Sequence, residues 1–394
     1  MRRRSPVVFS AVPVLVAALV LAACTTSTGE PDGDGTPTPQ TPSTAEATAD
    51  VARPSNLPQL FDAVGAEIPV TTVLDEPAVF VALGTEQQYA WEATQLANVA
   101  CDGSLTGLFA EGNDAGARFG SPSGVAISET VSSHFYSPAA GDDKVLLFFE
   151  TGEAFEPDLI LVQLDPDGIT TLLDTAMTPW SAGYTTIAGD GGIWLQAHEN
   201  EPGTGELNAS PIVLVTTDGS WVIAAENGEM LGHTDRGALY SLTPGVAEEM
   251  DPGAFELHEI TPERDVLLLS GRPRAGGTAG MVLTPTASSR SGELLVMTFQ
   301  RGQGEEPYLV VVEDGEATLV VLDDPARHVA VTDGWIAWSE GRPEDDGPWE
   351  QYVLELAEGS IYRLGTTEIA GLPSLCGDQL AWDEDDTIHV GTLP

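Results

Sequence analysis

The residues of this chain that could do chemistry are scattered and form no local catalytic motif. Gly120-Ser-Pro-Ser-Gly124 has the outline of a nucleophile elbow, but Pro122 stands where the nucleophilic serine is needed. The six histidines are isolated along the sequence, and no HExxH, phosphate loop or dinucleotide fingerprint occurs. Chance carboxylate pairs are unavoidable among 61 Asp and Glu residues. No particular reaction follows from these residues.

Cys24 has the clearest chemical assignment. Arginines at positions 2–4 precede an apolar run from Val7 to Leu21, and Leu21-Ala-Ala-Cys24 ends that run. These are the features of a secretory signal. The cysteine after Leu-Ala-Ala resembles the lipobox of bacterial lipoproteins, which implies cleavage before Cys24 and diacylglyceryl attachment to its thiol. The alternative, an uncleaved transmembrane anchor, also leaves the rest of the chain outside the cytoplasmic membrane.

The composition divides the chain into three parts. A signal peptide covers residues 1–23, and a tether rich in Thr, Ser and Pro covers 24–56. This tether has too few large apolar side chains to offset the entropy of ordering, so we expect it to be disordered. Residues 57–394 carry periodic apolar runs without a second linker, which predicts one folded domain.

The charge balance restricts the partners. The chain has 15 Lys and Arg against 61 Asp and Glu, a formal net charge of −46, and loses three arginines with the signal. Such acidity excludes nucleic acid and anionic lipid surfaces as electrostatic partners. We therefore expect a monomer attached to the membrane through its lipid alone.

Many acidic residues fall in predicted loops between strands. The segments are Glu150–Asp158, Glu199–Glu206, Glu248–Asp251, Glu305–Glu306, Glu344–Asp346 and Asp383–Asp386. Such clusters could bind Ca²⁺, but none has the spacing of a known calcium loop, and a solvated rim explains them better. No cofactor is expected. Asp345, Asp346 and Trp349 are the candidate binding residues, because Trp349 is an aromatic in an acidic loop.

Arginines concentrate between positions 236 and 301, including Arg272 and Arg274. These two are further candidate binding residues, since a local pocket for an anion or carboxylate would use guanidinium groups. Ordinary ion pairing with the surplus acids is the alternative.

The strands that must position these residues are predicted most clearly by residues 328–365. Val329–Val331 and Trp335–Trp338 read as short strands joined by a tight turn at Asp333-Gly334. After a loop over Gly341–Trp349, alternating apolar residues predict a third strand over Gln351–Ala357, and a turn leads to a fourth over Ile361–Leu364. This four-stranded meander cannot bury both faces alone, so copies must stack beside it.

Similar turns recur through the domain at intervals of 41 to 56 residues. The turn markers are Asp102, Asp143, Asp190, Asp235, Ser291, Asp333 and Gly377. Such spacing is typical of propeller blades. Only the stretch before Gly84 has helical character.

This pattern resembles secreted bacterial β-propellers of the TolB or WD40-like kind. The resemblance implies an all-β fold, a β-propeller of seven four-stranded blades, although six or eight blades or a pair of sandwiches also fit. The last copy has room for two strands, so closure would borrow strands from the amino end, with 77–83 and 96–100 as candidates. The blade-ending signatures of those families are absent, so no functional residues are carried over.

Cys101 and Cys376 occupy the same position in the first and last copies. Both copies are neighbours in a closed ring, and the compartment is oxidising, so we predict a disulfide between them. Two separate buried thiols are the alternative.

We expect a non-enzymatic, lipid-anchored extracytoplasmic module that binds a protein, a peptide or an envelope component on its loop-rich face. The alternative is an extracytoplasmic carbohydrate hydrolase or lyase whose acids come from different blades. An enzyme predicts charged residues with shifted pKa values that converge at the channel mouth, whereas a binding module predicts a broad rim.

The substitution Cys24→Ser should abolish lipid attachment and leave precursor or released protein, because the other cysteines follow no comparable apolar run. Mass spectrometry of the membrane fraction measures this. An unmodified Cys24 in mature, membrane-bound protein would contradict the lipoprotein assignment.

Overall fold

All regular structure that the computed structural model describes is β-strand, and the described residues contain no helix. The all-β prediction is therefore confirmed. The structure describes residues 57–75, 85–90, 94–111, 114–120, 126–129, 135–141, 144–153, 156–165, 168–174, 186–189, 192–197, 199–200, 207–216, 220–234, 236–242, 254–273, 285–299, 307–341, 348–369, 371–384 and 387–394.

The strands are numbered in chain order. The first eighteen are β1 Gln59–Asp62, β2 Glu67–Ile68, β3 Val70–Leu74, β4 Thr85–Tyr89, β5 Thr94–Val99, β6 Leu105–Glu111, β7 Asp114–Gly120, β8 Ala126–Glu129, β9 Phe135–Gly141, β10 Lys144–Glu153, β11 Glu156–Asp165, β12 Gly168–Asp174, β13 Thr186–Gly189, β14 Gly192–Gln196, β15 Glu199–Asn200, β16 Leu207–Ala209, β17 Ile212–Val215 and β18 Trp221–Ala225. The others are β19 Glu229–His233, β20 Ala238–Leu242, β21 Phe255–Ile260, β22 Asp265–Arg272, β23 Pro285–Ser291, β24 Leu294–Phe299, β25 Tyr308–Glu313, β26 Glu316–Val321, β27 Ala326–Thr332, β28 Trp335–Glu340, β29 Trp349–Glu355, β30 Ser360–Thr367, β31 Ser374–Cys376, β32 Gln379–Glu384 and β33 Thr387–Thr392.

Most strands fall into antiparallel repeats of four whose spatial order follows the chain order. Repeat 1 is β5–β8, repeat 2 is β9–β12, repeat 3 is β13, β14, β17 and β18, repeat 4 is β19–β22, repeat 5 is β23–β26 and repeat 6 is β27–β30. Repeat 3 carries a small hairpin of β15 and β16 between its second and third strands.

Repeat 6 is the four-stranded meander that residues 328–365 predicted. Its first turn contains Gly334 at φ 86°, a conformation that glycine adopts without steric cost. The second strand β28 is buried from Ile336 to Glu340, because further repeats cover both of its faces. The observed strands extend one to three residues beyond most of the predicted ends.

Repeat 7 closes the set with one strand from the amino-terminal side. Strands β31, β32 and β33 pair in order, and β4 then pairs antiparallel with β33. The expectation that the last copy holds two strands was wrong, because the marker turn at Gly377 joins the first and second strands and β31 precedes it. Residues 96–100 belong to repeat 1, and 77–83 lie outside the described residues.

The first strands of successive repeats lie beside one another, and β31 of repeat 7 returns to contact β5 of repeat 1. Closure of this kind removes the exposed edges that an open array would have. The β-propeller prediction is confirmed. The number of seven blades stays a prediction, because repeats 4 and 5 share one continuous sheet.

That continuous sheet has eleven strands and includes the amino-terminal strands β1 to β3. Strand β1 pairs antiparallel with the outer strand β22, and β3 pairs parallel with the outer strand β26. The inner strands β19 and β23 also pair, and Gly232 permits their approach, since a Cβ there would lie 1.6 Å from the Ser288 carbonyl oxygen. Residues 59–74, near the stretch that suggested a helix, therefore form strands.

The largest described core cluster fills the space between repeats 4 and 5. Phe255 and Phe299 contact each other with ring centroids 6.0 Å apart, and Leu60 of β1 is fully buried against the same cluster. Burial of each such side chain contributes about 1.5–3 kcal/mol. The amino-terminal strands thus belong to the core of the domain.

Cys101 and Cys376 are bonded in the structure, with Cα atoms 4.7 Å apart. Beside them the Val99 backbone N–H donates a hydrogen bond of 3.0 Å to Ser374 Oγ. Both contacts join the first strands of repeats 1 and 7, where the ring closes. Within the described residues there is no helix that is long and apolar enough to cross a membrane.

The double substitution Cys101→Ser with Cys376→Ser should lower the free energy of unfolding by roughly 3–5 kcal/mol, because the bond closes a long loop, with a sequence separation of 275. Denaturant unfolding with and without reductant measures this. Reductant should destabilise the wild type and leave the double variant unchanged. Free thiols at both positions in unreduced, folded protein would contradict the bond.

Candidate functional site

The loop face is defined here as the end of the repeats where second strands connect to third strands. Antiparallel order also brings the connections between successive repeats to this end. The opposite end carries the tight turns, such as Asp333-Gly334. Of the candidate residues predicted from the sequence, Cys24, Arg274, Asp345 and Asp346 lie outside the described residues.

Of the candidate loop residues Asp345, Asp346 and Trp349, the structure describes Trp349. This residue lies at the start of a strand. It begins β29 and pairs with Thr367 of β30. Its indole packs against Gly341, where a Cβ would lie 2.2 Å from Trp349 Cδ1. Trp349 therefore packs between the end of β28 and the start of β29.

Two predicted acidic loops are also largely strands. Residues 150–158 lie mostly in the long hairpin of β10 and β11, and Asp383 and Glu384 end β32. Asp383 is buried, and its Oδ2 accepts a hydrogen bond of 3.0 Å from Thr367 Oγ1. The acidic composition of these two segments predicted loops. In the structure they form strands, because they pair with neighbouring strands.

Glu340 at the end of β28 is the most buried acid of the loop face in repeat 6, with 5% of its surface exposed. Its carboxylate accepts a hydrogen bond from Trp338 Nε1 at 2.7 Å. It also accepts from the backbone N–H groups of Asp323 and Asp324, at 3.0 and 3.2 Å. One buried side chain thus fixes the connection between repeats 5 and 6.

Burial raises the pKa of Glu340, although its three donors act in the opposite direction. Burial also raises the pKa of Tyr352 to about 12, and the nearby Glu340 carboxylate adds to that increase. Tyr352 stacks on Trp338 with ring centroids 5.4 Å apart. These shifts accompany a packed structural network, in which the carboxylate has its acceptor positions occupied by protein donors.

Repeats 6 and 7 are joined at this end by the fully buried side chain of Gln351. Its amide donates to the Asp383 carbonyl at 2.8 Å and accepts from the Asp383 N–H at 3.1 Å. The amide therefore behaves as an added rung between β29 and β32. This rung fixes the relative position of the two repeats beneath the loop face.

Acidic side chains outline the surface above this rung. Glu350, Glu368 and Glu384 are partly or fully exposed there, and Arg363 forms an ion pair with Glu350. His389 Nε2 lies 4.0 Å from a Glu384 carboxylate oxygen. The described loop face of repeats 6 and 7 therefore presents mainly negative charge to solvent.

The arginine-rich repeats form ion pairs and a cation–π contact. Arg290 Nη1 lies 3.1 Å from Glu259 Oε2, and Arg264 approaches the same buried carboxylate at 3.9 Å. The guanidinium carbon of Arg272 lies 5.2 Å from the centre of the Phe61 ring. The candidate Arg272 thus packs on β1, and ion pairing accounts for Arg264 and Arg290.

A cluster around His258 in repeat 4 was missed from the sequence. Tyr240 Oη donates to Asp265 Oδ2 at 2.6 Å, and His258 Nδ1 lies 3.1 Å from Asp265 Oδ1. Burial and the bond to Asp265 raise the pKa of Tyr240. Alternate positions 256 and 258 share one strand face, but the contribution of Asp265 depends on the register with β22, which the sequence does not show.

An aspartate that orients a histidine could serve a general base, yet His258 Nε2 is shielded from solvent and lies 3.5 Å from Glu256. The cluster joins β20, β21 and β22 through Tyr240, His258 and Asp265. Among the described residues, no group of three or more His, Cys, Asp and Glu could hold a metal ion. The weak expectation of Ca²⁺ therefore stays untested for the loops outside those residues.

No protein-family model matches this sequence, and no curated protein does. Solved structures that resemble it include the β-propeller domain of the trilobed protease from Pyrococcus furiosus, at 11% identity, TM-score 0.47, 69% of this chain and 84% of that chain. Acylaminoacyl peptidase from Pyrococcus horikoshii matches 76% of this chain with 8% identity and TM-score 0.47. This chain spans about half (49%) of the length of that peptidase. The structure of oligogalacturonate lyase in complex with manganese matches with 12% identity and TM-score 0.49, over 83% of this chain and 97% of that chain. At these identities the likeness assigns no function.

Glu340→Ala should lower the free energy of unfolding by about 2–4 kcal/mol, because the buried Trp338 indole and two part-buried backbone N–H groups lose their acceptor. Chemical denaturation measures this. The control Glu358→Ala, at an exposed turn on the opposite end, should change stability by less than about 0.5 kcal/mol. Equal effects of the two substitutions would contradict the anchoring role.

The raised pKa of Glu340 also predicts a pH dependence. The folded state holds the proton more tightly than the unfolded state, so this contribution to stability is full below the ordinary carboxyl pKa of 4.5. It is lost as the pH rises through the folded pKa. Glu340→Gln should lack this component, so the wild type should lose stability relative to the variant as the pH rises above the ordinary carboxyl pKa of 4.5. The opposite slope would contradict the pKa direction.

Proposed function

We propose that this protein is a lipid-anchored extracytoplasmic binding module, which holds a cationic protein, peptide or envelope component on its loop face. The observation that carries the proposal is the rigid acidic surface over repeats 6 and 7. Gln351 and Glu340 fix the strands and the inter-repeat connection there, while Glu350, Glu368 and Glu384 face solvent. Binding residues commonly lie on loops over such a scaffold.

The distribution of shifted pKa values favours binding over catalysis. Among the described residues, clear shifts occur at Tyr89, Asp102, Tyr240, Glu340, Tyr352 and Arg363. Glu340, Tyr352 and Arg363 lie in repeat 6, Tyr240 lies in repeat 4, and Tyr89 and Asp102 lie near the junction of repeats 7 and 1. Burial or a local hydrogen bond is the largest cause of each shift. A hydrolase or lyase would need at least two such groups to converge on one substrate. Glu340 and Tyr352 lie near each other, but the Glu340 carboxylate already accepts hydrogen bonds from the Trp338 indole and two backbone N–H groups.

The charge of the proposed partner follows from the charge of the surface. Exposed carboxylates attract a cationic partner over about 8–10 Å at physiological ionic strength, and added salt weakens this attraction. Nucleic acid and anionic lipid would be repelled. We therefore place the partner among basic proteins, basic peptides or cationic components of the envelope.

The anchor is part of the same proposal. A lipid on Cys24 would hold the tether of residues 24–56 at the membrane, and a flexible tether of that length has an r.m.s. span of about 30 Å. The described domain begins at residue 57, just before β1. The loop face could then reach partners in the envelope without contact between the domain and the lipid surface.

The double substitution Asp345→Ala with Asp346→Ala should reduce the recovery of a cross-linked partner from native envelopes several-fold, because it removes two charges from the loop face. Wild-type recovery should fall between about 50 and about 300 mM NaCl. Trp349→Ala is better examined separately, because loss of its packing on Gly341 should also destabilise β29.

The matched control is Glu313→Ala with Glu358→Ala, which removes two exposed charges at the turn end. This control should leave recovery unchanged. If both double variants keep the wild-type partner and melting curve, the loop-face proposal is wrong. A loss of recovery by the control alone would move the binding surface to the turn end.

A further inference from the structure

The sequence contains a single Asn-Gly pair, Asn227-Gly228, and the structure places it in the connection between repeats 3 and 4. This connection leads from β18 to β19, so it lies on the loop face. Asn227 is exposed there, as is Glu226 before it, and Glu229 is exposed at the start of β19. Solvent therefore reaches the Asn227 carboxamide.

An asparagine followed by glycine brings an electrophile and a nucleophile close together within the chain. The electrophile is the side-chain carbonyl carbon Cγ, and the nucleophile is the backbone nitrogen of the next residue, which reaches it through a five-membered ring. Glycine has no Cβ to hinder this approach. Asparagine is also one of the thermolabile residue types. The chemistry of such a pair is therefore the intramolecular displacement of ammonia.

The atoms that would react at this pair are free of contacts that would hold them back. Within the described residues, no hydrogen bond involves the Asn227 side chain or the Gly228 N–H. The Gly228 carbonyl accepts a hydrogen bond of 2.9 Å from Gln196 Nε2. That bond lies on the carboxyl side of the residue, whereas the ring closes through its nitrogen. Ring closure thus breaks no described hydrogen bond.

Packing in repeat 4 requires glycine at this position. A Cβ on Gly228 would lie 2.6 Å from Cδ2 of Tyr240, whose ring is buried at 2% exposure. A larger residue would displace that ring from the core. The same glycine that permits this packing also leaves its backbone nitrogen open to Asn227.

Asn98 in β5 is the opposite case. Its side-chain oxygen accepts a hydrogen bond from Ser374 Oγ, and the N–H of the next residue, Val99, donates to the same Ser374 Oγ at 3.0 Å. One hydroxyl group therefore holds both the electrophile and the nucleophile, and the β-branched valine crowds the nitrogen. Asn98 supplies a control within the same chain.

We propose that Asn227 is a site of spontaneous covalent modification. The Gly228 nitrogen forms a bond to Cγ of Asn227 and loses its proton, while the carboxamide nitrogen leaves as ammonia and a succinimide remains. Water then opens this ring at either carbonyl, which leaves an aspartate or an isoaspartate at position 227. Both products add a carboxylate to the loop face, next to Glu226. The proposal does not depend on binding at that face.

The isoaspartate product also lengthens the main chain by one methylene group, beside a buried contact. Gln196, 7% exposed, donates to the Gly228 carbonyl and accepts from the Met230 N–H at 3.2 Å. A longer chain before Gly228 displaces these backbone groups and leaves the buried amide without its partners. Isoaspartate should therefore loosen the junction of repeats 3 and 4, whereas ordinary aspartate keeps the chain length.

The test incubates the purified, folded full-length protein in mildly alkaline buffer, which favours loss of the proton from the backbone nitrogen. A protease that cleaves before aspartate then releases residues 218–234, in which Asn227 is the single asparagine. This peptide should gain about one mass unit over time, since an amide nitrogen is replaced by oxygen. Part of the product should resist further cleavage at position 227, because such a protease does not recognise isoaspartate. Residues 75–101, with Asn98 as their single asparagine, should keep their mass.

An unchanged mass of residues 218–234 from the folded protein, with deamidation only after denaturation, would overturn the proposal. Equal rates at Asn227 and Asn98 would also overturn it, since exposure and unengaged reacting atoms would then have no effect. Complete cleavage of the product at position 227 would indicate direct hydrolysis of the carboxamide and would rule out the ring.

Thermal melting tests the consequence for the fold. Incubated wild type should melt at a lower temperature than fresh protein. Asn227→Gln should show no such change, since its longer side chain closes a six-membered ring more slowly. Asn227→Asp adds the charge without the methylene group and should melt close to the fresh wild type. An equal loss of stability in incubated Asn227→Gln would assign the damage to another site and contradict the proposal.

Discussion

Pairing of strand edges is the constraint on which this structure depends. Each repeat buries its inner strands against its neighbours, but the array is complete only where β31 meets β5 and β4 adds to β33. The Cys101–Cys376 bond and the Val99–Ser374 hydrogen bond lie at that junction. These contacts hold the two ends of the folded domain together. The stability of the ring therefore depends on all repeats of the domain at once.

The second strands of the repeats contribute large buried side chains to the core of this closed array. Trp194, Trp338 and Trp382 occupy the second strands of repeats 3, 6 and 7 and are at most 1% exposed. Trp338 and Trp382 lie shortly after the tight turns at Gly334 and Gly377, and Trp194 lies near the start of β14. This recurrence is local in sequence, which is why the fold class and the four-stranded repeats could be predicted. Closure from the amino-terminal side was also expected, but the strand that pairs with β33 is β4, which was not among the predicted segments 77–83 and 96–100.

The site was less accessible to prediction, because its contacts join residues that are distant in sequence. Glu340 gave no signal as an anchor, since two of its three donors are backbone groups of the connection between repeats 5 and 6. Trp349 was assigned to a loop, although pairing with Thr367 extends the strand to include it. The strands of residues 59–74 pair with β22 and β26, about two hundred residues or more away, and no periodicity within the segment reveals such partners.

Buried and exposed acidic residues are accommodated in different ways, which explains how so acidic a chain keeps a compact core. Buried carboxylates such as Glu259 and Glu340 are held by arginine or by backbone donors, so their burial does not leave uncompensated charge. Exposed acids among the described residues, such as Glu313 and Glu358, lie at strand ends and turns, where water screens them. Inner and second strands thus hold the fold, while loop ends and outer edges can change without loss of the core.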